Sequence, residues 1–237
     1  MRLDKFICKS TELTRTEAKK LLKSGTVKVN DVVVKDPSTQ VHENNTITLD
    51  NGASERVLNA RTSRYIMMHK PADTICSNVD EVYPSLLHYI DLDKAFDLHI
   101  AGRLDADTTG LVLITDDGRW SHNIISPKKD CPKTYRVQLR NNIVEDNQNA
   151  LINKFSQGIQ LQGEKDLTKS AILKIITENE VLLTITEGKY HQVKRMFAAV
   201  GNKVIGLHRE QIGNIKLDEE LSEGQWRFLT ATEIQSF

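Results

Sequence analysis

The stretch AGRLDADTTGLVLITDDG, residues 101–118, constrains the fold more than any other. Its run GLVLIT carries no charge and is bracketed by Asp105, Asp107, Asp116 and Asp117. A short apolar run bounded by turn formers reads as a buried strand. The flanking carboxylates are then either turn formers or chemical tools. Asp116–Asp117–Gly118 follows the strand and precedes a helical pattern, where Asp-Gly turns the chain and Asp caps a helix. Asp107 leads into Thr108, Thr109 and Gly110, a turn-rich approach to the strand, and also reads as structural. Asp105 has different company. It follows Arg103 and Leu104 in GRLD, where the chain is about to enter the core. Desolvation there raises a carboxyl pKa and neutralises the group, so an ionised Asp105 needs a fixed cation. From spacing alone two readings stand, a capped turn paired to Arg103 or a chemically active carboxylate.

A cation is offered by ITEGKYHQVKRMFAAVG. Val193, Met196, Phe197 and Val200 fall on one apolar helix face. At about 100° per residue Lys194 lies at the edge of that face and Arg195 nearly behind it. Lys194 can therefore lean into a site, while Arg195 meets solvent or phosphate; ordinary snorkelling is the alternative for both. In KTYRVQL, Tyr135, Val137 and Leu139 share a strand face. A tyrosine there either satisfies its hydroxyl in the core or lies under a planar ligand. His191 and His208 flank the same region, and a surface or core role is the simpler reading for each.

The remaining chain divides by composition. With 237 residues, 39% apolar and 27% charged, it has the balance of a globular protein of one or two domains. Cys8, Cys76 and Cys131 are odd in number and far apart, which argues against a disulfide framework and a zinc site. The start MRLDKFICKS is too polar for a signal peptide, and no apolar run reaches about eighteen residues. The expectation is a soluble cytoplasmic protein with no membrane contact. Net charge is zero, yet residues 1–35 hold nine Lys and Arg against four Asp and Glu. That basic end is an address for a polyanion.

The basic end has its own pattern. Leu3 to Cys8 reads as a helix, and a second opens at Thr14, with Glu17 completing a capping box and Gly25 closing it. Arg15, Lys19 and Lys23 recur every four residues as a basic ridge. TVKVNDVVV reads as a hairpin about Asn30–Asp31, and VHENNTITLD holds another strand. Residues 1–50, above all LTRTEAKKLLKSGTVKVNDVVVKDP, resemble the S4 RNA-binding domain. The resemblance implies that the second helix and hairpin face RNA. Residues 51–63, NGASERVLNARTS, read as a linker, and residues 64–237 as a larger domain. Its expected strands are RYIMMHK, GLVLIT, KTYRVQL, AILKIIT, VLLTIT and KVIGLH. Its expected helices are DGRWSHNII, VEDNQNALINKFSQ and YHQVKRMFAAV. Strands and helices do not strictly alternate, so the class is α+β.

AGRLDADTTGLVLITDDG, CPKTYRVQL, EGKYHQVKRMFAAVG and VIGLHREQIGNIKL, in this order, resemble the RsuA group of pseudouridine synthases. The resemblance covers nearly the whole chain. It implies a small S4-like RNA-binding domain followed by a synthase domain with a mixed, mainly antiparallel sheet flanked by helices. It implies isomerisation of a specific uridine in 16S (small-subunit) ribosomal RNA, with that RNA or a small-subunit assembly intermediate as partner, and a monomer. It assigns Asp105 as the catalytic residue, Lys194 as its ion-pair partner and Tyr135 as the ring on the uracil. Arg103 would fill the gap left by a flipped nucleotide, and Leu207 would wall the pocket. Arg195, Arg15, Lys19 and Lys23 are further candidate RNA contacts. One departure is visible in HKPADTICS, where Asp73 stands at a usual glycine; Asp tolerates a left-handed backbone, so the turn is expected to survive.

The implied chemistry breaks N1–C1′, turns the uracil and joins C5 to C1′. Atoms stay within the RNA and no oxidation occurs, so no cofactor or metal is expected. The base must be extruded at roughly a few kcal/mol. The carboxylate could attack C1′ or C6, or take the C2′ proton, and Tyr135 is a candidate proton carrier at C5. Two rivals use the same residues: Mg²⁺-dependent phosphoryl transfer on Asp105 and Asp107, and a non-catalytic ribosome-binding or assembly protein.

Overall fold

The computed structural model describes every residue except Glu43, Asn51 and Ala53, and the chain forms two compact units, Met1–Thr62 and Ser63–Phe237. The first unit opens with helices α1 (Leu3–Ser10) and α2 (Arg15–Ser24). The α2 capping box forms as its residues dictate: the Thr14 side chain accepts from Glu17 N, and Glu17 accepts from Thr14 N. Gly25 ends the helix at φ 80°, a left-handed conformation that costs glycine little. Strands β1 (Val27–Val29) and β2 (Val32–Val33) make the hairpin, with Asn30 and Asp31 both at positive φ. Strands β3 (Ile47–Asp50) and β4 (Glu55–Val57) complete a sheet ordered β2-β1-β3-β4. Leu3, Ile7, Ala18, Leu22, Val27, Val41, Ile47 and Leu58 form its core.

Part of the stretch read as a linker is therefore a strand. Thr48, Leu49 and Asp50 pair with Val57, Arg56 and Glu55. The side chains of β4 are all exposed, so this edge strand is held by backbone pairing and leaves no apolar alternation to read. Leu58, just beyond it, is buried in the core. Asn51 and Ala53 of the same stretch, and Glu43 of the segment VHENNTITLD, lie outside the described residues.

The second unit holds a nine-stranded sheet. Its elements are β5 (Tyr65–Lys70), β6 (His99–Ala101), β7 (Thr109–Thr115), α3 (Gly118–Ile125), β8 (Lys133–Leu139) and α4 (Gln148–Gln157). They continue as β9 (Ile172–Ile175), β10 (Glu180–Ile185), α5 (Gln192–Ala199), β11 (Val204–Ile212), β12 (Ile215–Lys216), β13 (Trp226–Phe228) and α6 (Ala231–Ile234). The strand order is β13-β5-β7-β11-β8-β10-β9, with β6 beside β7 and β12 beside β11. The β7–β11 pair is parallel and the other ladder pairs are antiparallel. This is the mixed, mainly antiparallel sheet the α+β reading expects. No helix among the described residues is long and apolar enough to cross a membrane.

The run GLVLIT is buried from Gly110 to Thr115 because β7 is covered on both faces. Val112 and Ile114 belong to one apolar cluster with Phe155 of α4 and Met196 and Phe197 of α5. Leu111 and Leu113 pack with Trp120 and Ile124 of α3. Where a strand meets helices on one face only, alternation returns: in β8 the buried residues are Tyr135, Val137 and Leu139. Asp117 caps α3, accepting from Arg119 N and Trp120 N, and Asp116 accepts from Arg64. Both aspartates have the structural roles that their turn position predicts.

Candidate active site

The loop 102–108 joins β6 to β7 and must present Asp105 without collapsing into the core. The end of β5 and the segment after it pin it. Lys70 is fully buried, and its ammonium donates to the carbonyls of Pro71, Ala106 and Thr108 at 2.9, 3.2 and 2.8 Å. Burial pushes its pKa down, and an ammonium in the core without such acceptors would cost several kcal/mol. Asp73 N donates to Ala106 O at 2.9 Å from a left-handed residue (φ 58°), so Asp does serve at this turn. Leu104 N donates to Cys76 Sγ at 3.3 Å, and Thr108 N closes the loop on Asp105 O at 3.1 Å.

The next constraint is Gly110. It lies at φ +109°, opposite Arg209 in the parallel ladder. A Cβ there would stand 2.3 Å from Arg209 O and 2.5 Å from Arg209 N. Only glycine lets β7 and β11 approach this closely. The approach brings Arg209, only 1% exposed, beneath the cleft. Its Nη1 lies 3.5 Å from the Tyr135 hydroxyl and its guanidinium carbon 6.0 Å from the Tyr135 ring centroid. Its Nε donates to Leu111 O at 2.8 Å.

Above these residues a cleft of about 660 Å³ is lined by Arg103, Asp105, Tyr135, Lys194 and Leu207, with Arg209 at its base. That size suits a small-molecule or single-nucleotide site. Lys194 reaches in from α5, at the edge of the Val193–Met196–Phe197 face. Its Nζ lies 3.3 Å from Asp105 Oδ2 and donates to Asp107 at 2.7 and 2.9 Å. His191 Nε2 stands 3.4 Å from Asp105 Oδ1.

One ammonium therefore serves two carboxylates. Burial lowers the Lys194 pKa, but the hydrogen bond it donates to Asp107 and the charges of both aspartates outweigh it and raise the value. Asp107 is held below the usual carboxylate range, mainly by that hydrogen bond. Asp107, read from its turn-rich setting as structural, also accepts from the cation of the site. Residues 105 and 107 stand on one tight loop, so a side chain reaching the first reaches the second. The Asp105 side chain is 31% exposed and Asp107 72%, so water screens Asp107 far more. The Asp107 contact is shorter, but Asp105 is the more enclosed charge.

Other candidates lie elsewhere. Arg195 does not line the cleft; its guanidinium donates to Glu164 Oε1 at 3.2 Å, Tyr190 O at 3.1 Å and Gln162 O at 2.8 Å. Its position behind the apolar face is as the helical spacing predicts, but loop 160–165 supplies a carboxylate there that no pattern marks. Arg15, Lys19 and Lys23 belong to the first unit. Arg15 Nε lies 3.4 Å from the fully buried carboxylate of Asp4, and Lys19 and Lys23 are exposed. Sequence reasoning missed Lys70 as the brace of the loop and Arg209 beneath Tyr135. A charged residue inside an otherwise strand-like run was the available signal for Arg209. His208 is part of the sheet, its Nδ1 2.7 Å from Thr109 Oγ1 and its pKa lowered by burial.

The gap between Asp105 and Asp107 is spanned by a lysine amine, which puts a fixed cation where a divalent ion would have to sit. Among the described residues no three His, Cys, Asp or Glu side chains are grouped to hold a metal ion. The arrangement suits a carboxylate acting on a flat, uncharged ligand held against Tyr135.

Comparison with known proteins bears on the family of the chain. A family model described as RNA pseudouridylate synthase matches residues 64–199, and one described as the S4 domain matches residues 1–47. The ribosomal small subunit pseudouridine synthase A of Vibrio cholerae is 53% identical over 236 residues, covering 100% of this chain and 99% of that protein. The protein of that name from Escherichia coli K12 is 45% identical over 236 residues, with the same coverage. A crystal structure described as a pseudouridylate synthase superposes with a TM-score of 0.70 at 47% identity, covering 100% of this chain and 99% of that one.

Proposed function

The chain belongs to the RNA pseudouridylate synthase family, and from that premise we propose that it converts one uridine of 16S ribosomal RNA to pseudouridine with Asp105 as the catalytic carboxylate. The relatives that support this reading are named for the small ribosomal subunit and match over full length. The observation that carries the residue assignment is the Lys194 amine 3.3 Å from Asp105 in a cleft floored by Tyr135.

The chemistry follows from the charges. Attack at C1′ or C6, or removal of the C2′ proton, requires an ionised carboxylate. Uridine carries no charge to hold one in place, so the protein must supply the counter-ion, and Lys194 does so from a helix. Tyr135 offers its ring face to the everted uracil, and Leu207 adds an apolar wall. Arg209, buried under Tyr135, fixes the height of that ring. Arg103 is exposed at the cleft edge. A planar guanidinium there can stack in the space the uridine leaves and meet the flanking phosphate, repaying part of the roughly few kcal/mol of unstacking. The S4 domain supplies further affinity through the phosphate backbone.

The test is Asp105→Asn with 16S rRNA, reading pseudouridine by position. The variant is expected to fold and bind RNA normally and to form no pseudouridine. Turnover at the parental rate would remove Asp105 from the mechanism.

A further inference from the structure

We propose that Tyr190 and His191 form a stacking platform at the cleft lip that receives the RNA base next to the everted uridine. This assignment rests on the function proposed above and adds a second nucleobase subsite to it.

Tyr190 is 77% exposed, more than any other Tyr, Phe or Trp ring among the described residues. An exposed ring needs no partner, yet this one has one. It stacks on His191 with ring centroids 3.7 Å apart and planes tilted by 23°. One face of the tyrosine is thus covered by imidazole and the other is left to solvent. His191 is tied to the reacting carboxylate, with Nε2 3.4 Å from Asp105 Oδ1. Both rings line the cleft. The open face of Tyr190 therefore lies one ring beyond the group that acts on the uridine.

The backbone beneath the rings is fixed at several points. Lys189 N donates to Gln192 Oε1 at 2.8 Å, and Gln192 Nε2 donates to Glu187 Oε1 at 2.8 Å. Arg195 Nη1 donates to Tyr190 O at 3.1 Å. His191 itself is held at φ 48°, a left-handed conformation that non-glycine residues seldom adopt. Strain of this kind persists only where surrounding contacts over-determine it. A ring presented from so constrained a turn loses little freedom when a base settles on it.

The ligand class follows from the chemistry of eversion. Turning one nucleotide out of a stack leaves its neighbour with an uncovered π-face. An aromatic platform beside the slot covers that face for any base, because every base has one. Histidine and tyrosine are among the rings on which unstacked RNA bases are held.

The experiment compares the full-length parent with Tyr190→Ala, Tyr190→Leu and Tyr190→Phe on 16S rRNA, measuring kcat, KM and the salt dependence of RNA binding. Alanine and leucine are each expected to raise KM about ten-fold with little change in kcat, and phenylalanine to retain the parental KM. The slope of log affinity against log salt should stay parental in all three, because stacking releases no counterions. An unaltered KM in Tyr190→Ala, or a leucine variant as good as phenylalanine, would overturn the platform while leaving the proposed function standing. A parent protein that forms no pseudouridine would overturn both.

Discussion

Lys194 stands 3.3 Å from Asp105 and within hydrogen-bonding distance of Asp107, so its removal deprives two carboxylates on one loop of the ammonium they share. Lys194→Met is expected to lower kcat by about a hundred-fold, about 2.7 kcal/mol of barrier, while changing RNA affinity little. Steady-state kinetics with a parallel binding assay separates the two; a loss confined to affinity would mean that Lys194 only contacts RNA. The pair also sets a pH window. The Asp107 pKa is depressed, so its half of the pair is lost only as pH falls below the ordinary carboxylate range. The Lys194 pKa is raised, so the other half is lost only as pH rises above the ordinary lysine range. Lys194 and Tyr135 sit on elements whose apolar period can be read, α5 and β8, whereas Asp105 stands on a loop and is singled out only by the resemblance of its GRLD motif. The sharing of the amine by Asp107 was not legible, because it depends on loop shape rather than on periodicity. Arg195 shows the same limit: its direction could be read from the helix, its partner Glu164 could not.

At the scale of elements, the parallel junction of β7 and β11 governs the floor of the cleft. Gly110→Ala would force a Cβ onto the Arg209 backbone, separating the strands and shifting Arg209 under Tyr135. The expected result is a loss of about 3 kcal/mol or more of stability and loss of activity, read by denaturant unfolding and rRNA turnover. A near-parental midpoint would mean that the junction yields. A second element, α6, is secured by charge. Glu233 accepts from Arg227 at 2.9 Å through both oxygens and from Thr230 N at 2.7 Å. These contacts, the Arg227 bond foremost, depress its pKa from 4.5 to about 2. A depressed carboxylate stabilises the fold above its unfolded pKa, and the contribution is lost as pH falls from 4.5 through 2. Glu233→Gln is expected to cost about 1–3 kcal/mol at neutral pH, with a flatter fall in melting temperature across that acid range. β8, β10 and α5, which have a clear apolar period, and β7, a continuous apolar run, follow the pattern in the sequence. β4, β6, β12 and β13 carry two or three residues each, too short to express a period, and no pattern in the sequence marks them.

For the whole molecule, neutrality conceals a division. Residues 1–62 hold eleven Lys and Arg against eight Asp and Glu, a net +3, which leaves −3 on residues 63–237. The S4 unit thus carries the positive excess, and RNA affinity should fall with salt although the chain as a whole is uncharged. Arg15 is already engaged by Asp4, so Lys19 and Lys23 are the ridge residues expected to contribute most. Replacing both with Ala should reduce the log–log salt slope by roughly 0.7–0.9 per lysine. A slope equal to that of the parent would turn the ridge towards solvent. The division into a basic unit and a larger mixed unit was legible in charge and composition; the strand within 51–63 was not, because its stability comes from backbone pairing.

The lysine bridge has a consequence beyond rate. Folded RNA arrives with an atmosphere of hydrated magnesium, and paired aspartates are the seats such ions seek. Here the seat is taken by a charge on a covalent tether, which neither dilution nor chelation can remove. The carboxylates are thereby guarded from the ions that their own substrate carries in.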